Sequence, residues 1–307
     1  QTCALPILAI EDQGFYAHPG INPVRIVAAA DGKELLKVQD ANFSSAITMA
    51  AGQLSGQGNA SIGLVTCANA LVIRDVATPV TLTPAAVKLA QLTGKVAGGG
   101  ITGSAGLSLA GDSTYSADVQ VKDADIVTLL KEAGAPGWFA AGKLQLSTAL
   151  TGTGGAETVV GAGKAEIVSG QLVNIPLLTM VGQLLQVTAL QDLKFDEFKL
   201  EYTISNNVVQ TPVIRITSPQ VRLAGQGELT LADNKLNHTF TLTLAAAALD
   251  AAPKEIRQEF TKNADGSYSI EFRVWGPAES PKTDLQKRLL KGVGEQLLEK
   301  GLKKLLK

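Results

Sequence analysis

Two histidines and two cysteines are the whole supply, in 307 residues, of the side chains that most often carry nucleophilic or proton-transfer catalysis. His18 and His238 lie far apart, and His238 falls inside the threonine-rich alternation Leu236 to Ala245, which suits a cross-strand position. The chain has no Gly-x-Ser-x-Gly elbow, no His-Glu-x-x-His pair and no lysine-bearing phosphate loop. Gly98-Gly-Gly100-Ile-Thr-Gly103 matches the dinucleotide pattern, but alternating Leu107 and Leu109 follow it where a helix would have to begin. A turn or bulge is the expectation there. Asp192, Asp196 and Glu197 surround Phe195 without a histidine partner or metal-ligand spacing, and they read as a solvated loop. Asp118, Asp123 and Asp125 flank a strand-to-helix junction, where Asp123 or Asp125 would serve as a helix cap. The residues therefore point to no catalytic set, no metal and no cofactor, and the chain is not expected to be an enzyme.

Composition narrows the remaining classes. A formal charge of −1 and an aromatic content of 5% argue against nucleic acid, which needs a cationic surplus and stacking platforms. Apolar residues reach 45% and charged residues only 18%, yet no run approaches the roughly 20 apolar residues of a membrane helix. Gln1-Thr-Cys-Ala-Leu-Pro-Ile7 resembles a translated sequencing adapter, so the natural start is expected to lie upstream. With Cys3 set aside, Cys67 stands alone and supports neither a disulfide framework nor a metal cluster.

Period-two alternation dominates the rest. Leu200, Tyr202 and Ile204 oppose Lys199, Glu201 and Thr203, and Phe240, Leu242 and Leu244 oppose Thr239, Thr241 and Thr243. Ile270, Phe272 and Val274 repeat the rule against Ser269, Glu271 and Arg273. Glycine-led runs at Gly103 to Leu109, Gly161 to Ile167 and Gly225 to Leu231 each pass into such a pattern. The expected fold is mainly β: an elongated, curved, mostly antiparallel sheet, an open groove or partial barrel, with a few short helices. Helical spacing marks Asp123 to Glu132, Pro176 to Leu190 and Pro253 to Thr261.

From Asp284 onward leucines recur at helical spacing, and seven basic residues face three acidic ones. Such a C-terminal amphipathic helix either caps a sheet end or lies on an anionic membrane through Lys287, Arg288, Lys291, Lys303 and Lys304. The chain thus divides into a start at 1–23 that is artefactual or disordered, a β region at 24–276 and the basic helix at 277–307.

Two family resemblances follow from particular residues. Ala9-Ile-Glu-Asp-Gln-Gly-Phe-Tyr-Ala-His-Pro-Gly-Ile21 resembles the opening motif of the peptidoglycan glycosyltransferases, in which the residue matching Glu11 is the catalytic base. That fold is helical, whereas the residues after Asp31 alternate like strands. Coverage is wider for the AsmA family of Gram-negative envelope proteins. Leu92-Thr-Gly-Lys-Val-Ala-Gly98, Gly161 to Gly170, Phe195 to Ser205 and Ile214-Arg-Ile-Thr-Ser-Pro219 followed by Leu223 to Leu229 resemble its C-terminal region, in that order.

The AsmA resemblance implies a periplasmic protein held in the inner membrane by an N-terminal helix missing from this sequence. It implies a contribution to outer-membrane assembly and to phospholipid movement, with phospholipid or a membrane surface and envelope proteins as partners. An apolar sheet face would shield acyl chains, each methylene kept from water being worth about 0.8 kcal/mol. The expected groove lining is Leu200, Tyr202, Ile204, Leu229, Leu231, Phe240, Leu242 and Leu244. A structural or protein-interaction scaffold is the alternative, with the apolar face an ordinary core closed by helices.

Overall fold

Alternation in every strand and short connections between them dictate an antiparallel meander, and the computed structural model has that form. It describes residues 24–27, 34–67, 71–134, 139–173, 190–250, 252 and 254–290, with 178, 179, 182, 183 and 187 as isolated positions. The strands are β1 Val24–Val27, β2 Glu34–Ala50, β3 Gln53–Cys67, β4 Leu71–Thr83, β5 Ala86–Val96, β6 Gly99–Ser108, β7 Thr114–Asp125 and β8 Phe139–Thr153. They continue as β9 Val160–Val173, β10 Asp192–Ser205, β11 Val208–Thr217, β12 Val221–Thr230, β13 Lys235–Leu244, β14 Thr261–Lys262, β15 Tyr268–Pro277 and β16 Lys282–Thr283. All belong to one 16-stranded open sheet in which β1 to β13 pair in chain order and β15 then adds to β13. The helices are α1 Ile126–Glu132, α2 Ala246–Leu249, α3 Lys254–Arg257 and α4 Leu285–Leu290.

Several strands are longer than their alternation suggests. Glu34–Val38 and Ala41–Met49 form one strand, and so do Leu71–Arg74 and Val80–Thr83. The apparent breaks are residues with positive φ inside strands: Asp40 (φ 55), Asp75 (φ 53), Asp123 (φ 59) and Ser169 (φ 54). Aspartate tolerates this left-handed region better than most side chains. Register slips beside Asp75 and Asp123, between Arg74 and Ala77 and between Val121 and Ala124. An extra residue shifts the apolar parity, so that Val119 and Val121 are followed by Ala124, and the same side of the strand stays apolar. Asp123 is thus a bulge residue, and the cap of α1 is Asp125, whose carboxylate accepts from Thr128 N–H at 2.9 Å.

Cross-strand register shows that all strands turn their apolar sides to one face. Phe272, Phe240 and Gly225 lie in line, as do Leu200 and Ile214; Leu146, Ala165 and Val121 continue the face, and Leu107, Val87 and Leu82 carry it on. The main core sits on this face at one set of strand ends. There Leu178, Val187 and Leu190, with Leu249 of α2, Ile256 of α3 and Leu285 and Leu289 of α4, pack onto Leu193, Ile216, Leu242, Leu244 and Ile270. A smaller core of Val96, Ile101, Val121 and Ala124 lies beside Leu129 of α1 at the same ends.

Candidate functional site

The candidate site is the apolar face, and its first property is electrical. By register and alternation every Lys and Arg of β2 to β13 and β15 stands on the opposite face, among them Lys88, Lys122, Lys164, Lys199, Arg215 and Arg273. That opposite face is laced by exposed ion pairs such as Lys199–Glu197 at 2.8 Å and Lys95–Asp75 at 2.9 Å. Pairs of this kind contribute at most about 1 kcal/mol each. The Glu197 partner raises the Lys199 amine above its ordinary range.

Aromatic rings on the apolar face lie against glycines directly across from them. Tyr202 is opposite Gly163, Phe240 opposite Gly225, Tyr115 opposite Gly152 and Phe195 opposite Gly170. A Cβ at Gly163 or Gly225 would overlap the facing ring, so the glycine is what lets the ring lie down on the sheet. The glycines of these runs are therefore seats inside strands rather than their starts.

Polar groups on this face are satisfied locally. The Tyr202 hydroxyl donates to Thr148 Oγ1 at 2.9 Å, and that of Tyr115 donates to Gly155 O at 2.9 Å. Thr211 Oγ1 donates to Gly227 O at 3.1 Å and lies 2.8 Å from His238 Nε2. With its own proton committed, Thr211 accepts from the imidazole, so the hydrogen-bond network assigns His238 the Nε2–H tautomer. The ring stacks on Phe240 at 5.9 Å, and Phe240 stacks on Phe272 at 5.7 Å. Burial lowers the His238 pKa, and Glu228 only partly opposes it. Tyr202–Thr148 and Thr211–His238 form a hydrogen-bonded belt across the strands.

The belt separates two environments. Toward the helices the face is closed: Leu242 and Leu244, expected to line an open groove, are 1% and 0% exposed. Phe240 is partly buried against the same core. Leu200, Tyr202, Ile204 and Leu229 are half-buried, and Leu231 is 47% exposed. Toward the far turns the early strands keep part of the face open, with Leu107 at 38% and Met49 at 60%, while Val76, Thr78 and Val80 of β4 are buried. The early part, including Leu82, Val87, Leu107 and Leu150, was missed in the sequence because its strands are glycine-rich and carry few large apolar residues. The signal that would find it is the cross-strand register.

The remaining expectations resolve as follows. Ala97 and Gly98, with φ of 46° and 77°, form the two-residue turn between β5 and β6, and Gly99 to Gly103 belong to strand β6, so the expected turn covers only the first glycine of the motif. Asp192, Asp196 and Glu197 are not in a loop; they belong to β10, where Asp192 accepts from Gln171 Nε2 at 2.5 Å. Lys287 is exposed on α4, but Arg288 is engaged with Asp284 at 3.1 Å and with Glu271 O at 2.9 Å. Lys291, Lys303, Lys304 and Glu11 lie outside the described residues. Among the described residues no group of His, Cys, Asp and Glu is arranged to hold a metal, and no helix is long and apolar enough to cross a membrane.

Four shallow hollows among the described residues open on the polar face. One of about 570 Å³ is lined by Asn42, Ser44, Asn59, Ser61, Gln91 and Thr93 among others. Hydroxyl and amide groups dominate their lining, joined by Lys88 in one, Asp118 in a second and Lys122, Lys164 and Glu166 in a third. No family model, no curated protein and no solved structure matches the chain.

Proposed function

We propose that the protein is a noncatalytic envelope component that shields phospholipid acyl chains along the open part of its apolar face and so contributes to outer-membrane assembly. One observation carries the reading: an apolar face continuous across the strands, free of charged side chains over β2 to β8, on which α1 is the one helix packed over β2 to β8 among the described residues and Phe43, Met49 and Leu107 stay exposed. Monomeric proteins rarely expose apolar surface on that scale without a ligand or partner for it. Acyl chains suit it because their stabilisation is non-directional and scales with buried methylenes, and the hydroxyls of Tyr115 and Tyr202 on the face are already bonded. The resemblance of residues 92–231 to the AsmA family supports the same reading and with it a periplasmic location.

The capped part favours a second reading for β10 to β15. There the apolar face is an ordinary core, and a scaffold role accounts for it without any lipid. The two readings divide the molecule rather than compete for it, since the closed part holds the open part in register.

Native mass spectrometry of protein purified from membranes tests the proposal. Co-purified phospholipid is the expected result, lost when Leu107 and Leu150 are changed to Asp. Lipid-free protein throughout, or lipid retained by that double variant, would overturn it.

A further inference from the structure

A head group attached to chains lying on this face must emerge where the helices do not close it, at the rim formed by the turns 51–52, 84–85, 109–113, 154–159, 206–207, 231–234 and 278–281. Those turns contain four acidic residues, Asp112, Glu157, Asp233 and Glu279, all exposed, and no Lys or Arg. Among the described residues the nearest cations are Lys88, which stands on the polar face, Lys235, paired with Asp233 at 2.6 Å, and Lys282 beyond Glu279. Beside the early strands the rim therefore carries Asp112 and Glu157, and no Lys or Arg of β2 to β13 or β15 stands on the apolar side; Lys262, opposite Tyr268, lies at the helix-bearing ends away from this rim. A phosphate of net negative charge arriving there meets carboxylates and no counter-charge.

We infer that the open face selects amphiphiles with a zwitterionic head group over those with a net negative one, a refinement that rests on the lipid-handling reading above. In a zwitterionic head the phosphate brings its own ammonium, and that ammonium is the outermost group facing Asp112 and Glu157. The discrimination is electrostatic and exposed to water, so it is modest and falls with ionic strength.

The test is a competition. The full chain is incubated with vesicles containing equal amounts of phosphatidylethanolamine and phosphatidylglycerol of matched acyl chains, and bound lipid is extracted and counted. The expected outcome is enrichment of phosphatidylethanolamine by about threefold to tenfold at low salt, the scale of one or two weak exposed charge contacts. Enrichment should vanish at high salt and reverse in the double variant Asp112→Lys and Glu157→Lys, both turn positions with no role in the core. Equal uptake of the two lipids, or preference for phosphatidylglycerol by the unaltered chain, would overturn the inference and leave lipid handling standing. Uptake of neither lipid would overturn both.

Discussion

The strands β10 to β15 and the strands β2 to β8 are built by the same rule and end in opposite environments. Both present one apolar and one polar face, both seat rings on glycines, and both are capped at the same strand ends. The late strands lie under Leu178, Val187, Leu190 and three short helices, and their apolar residues are sealed, as Leu244 and Leu289 at 0% exposure show. Among the described residues the early strands carry only α1; Val76 and Val80 are buried, while large apolar side chains such as Phe43, Met49 and Leu107 remain in contact with solvent. What distinguishes a core from a binding surface in this molecule is therefore the cover and not the sheet. Strand pattern alone does not separate the two.

The largest expected effect separates the halves by stability. Leu244→Ala or Leu289→Ala removes a fully enclosed side chain and should cost about 2 to 5 kcal/mol in denaturant unfolding, whereas Leu107→Ala should cost less than about 1 kcal/mol. Equal losses would mean that the early face is covered after all. Next in size are the ring seats. Gly225→Ala should lift Phe240 from its stack with Phe272 and cost about 1 to 3 kcal/mol, while Gly152→Ala displaces Tyr115 at an open rim and should cost less, both read from the unfolding midpoint.

The belt offers a prediction in pH. Burial holds His238 below its ordinary value of 6.5, so above that pH the folded and unfolded chains bind equal numbers of protons there. Below it the unfolded chain takes up a proton that the folded chain resists, and stability falls as pH drops from 6.5 toward the folded value. His238→Phe, which keeps a ring against Phe240, should flatten that slope in unfolding measurements between pH 7.5 and 5. The smallest effect is at α1. Asp125→Ala removes the acceptor for Thr128 N–H and Oγ1 and should cost about 1 kcal/mol, with fraying that uncovers Leu129.

The antiparallel sheet and the common orientation of its apolar sides were legible because alternation is a local property. Leu200, Tyr202 and Ile204, or Phe240, Leu242 and Leu244, declare their shared face without reference to any partner. What was not legible depended on neighbours distant in sequence. Asp40 and Asp75 look like strand ends, since nothing local says that a bulge will reset the parity and the ladder continue. Pro79 looks equally out of place in a central strand, yet it falls in the stretch between Ala77 and Val80 where β5 does not keep register. Leu242 and Leu244 were assigned to the groove because the helices that seal them come from separate segments, and nothing in β13 itself records their arrival. The cap at Asp125 and the turn at Gly98, by contrast, rest on adjacent residues and were within reach.

The most direct test of the central claim is to ask which side chains touch lipid. A photo-reactive amino acid placed singly at Leu107, Leu150 and Ile204 on the open apolar face, at Ser116 and Thr151 on the polar face, and at Leu242 under the helices would report contact in protein isolated from membranes. The account predicts phospholipid adducts at the first three positions and none at the other three. Adducts spread evenly over both faces, or absent from Leu107, Leu150 and Ile204, would contradict it.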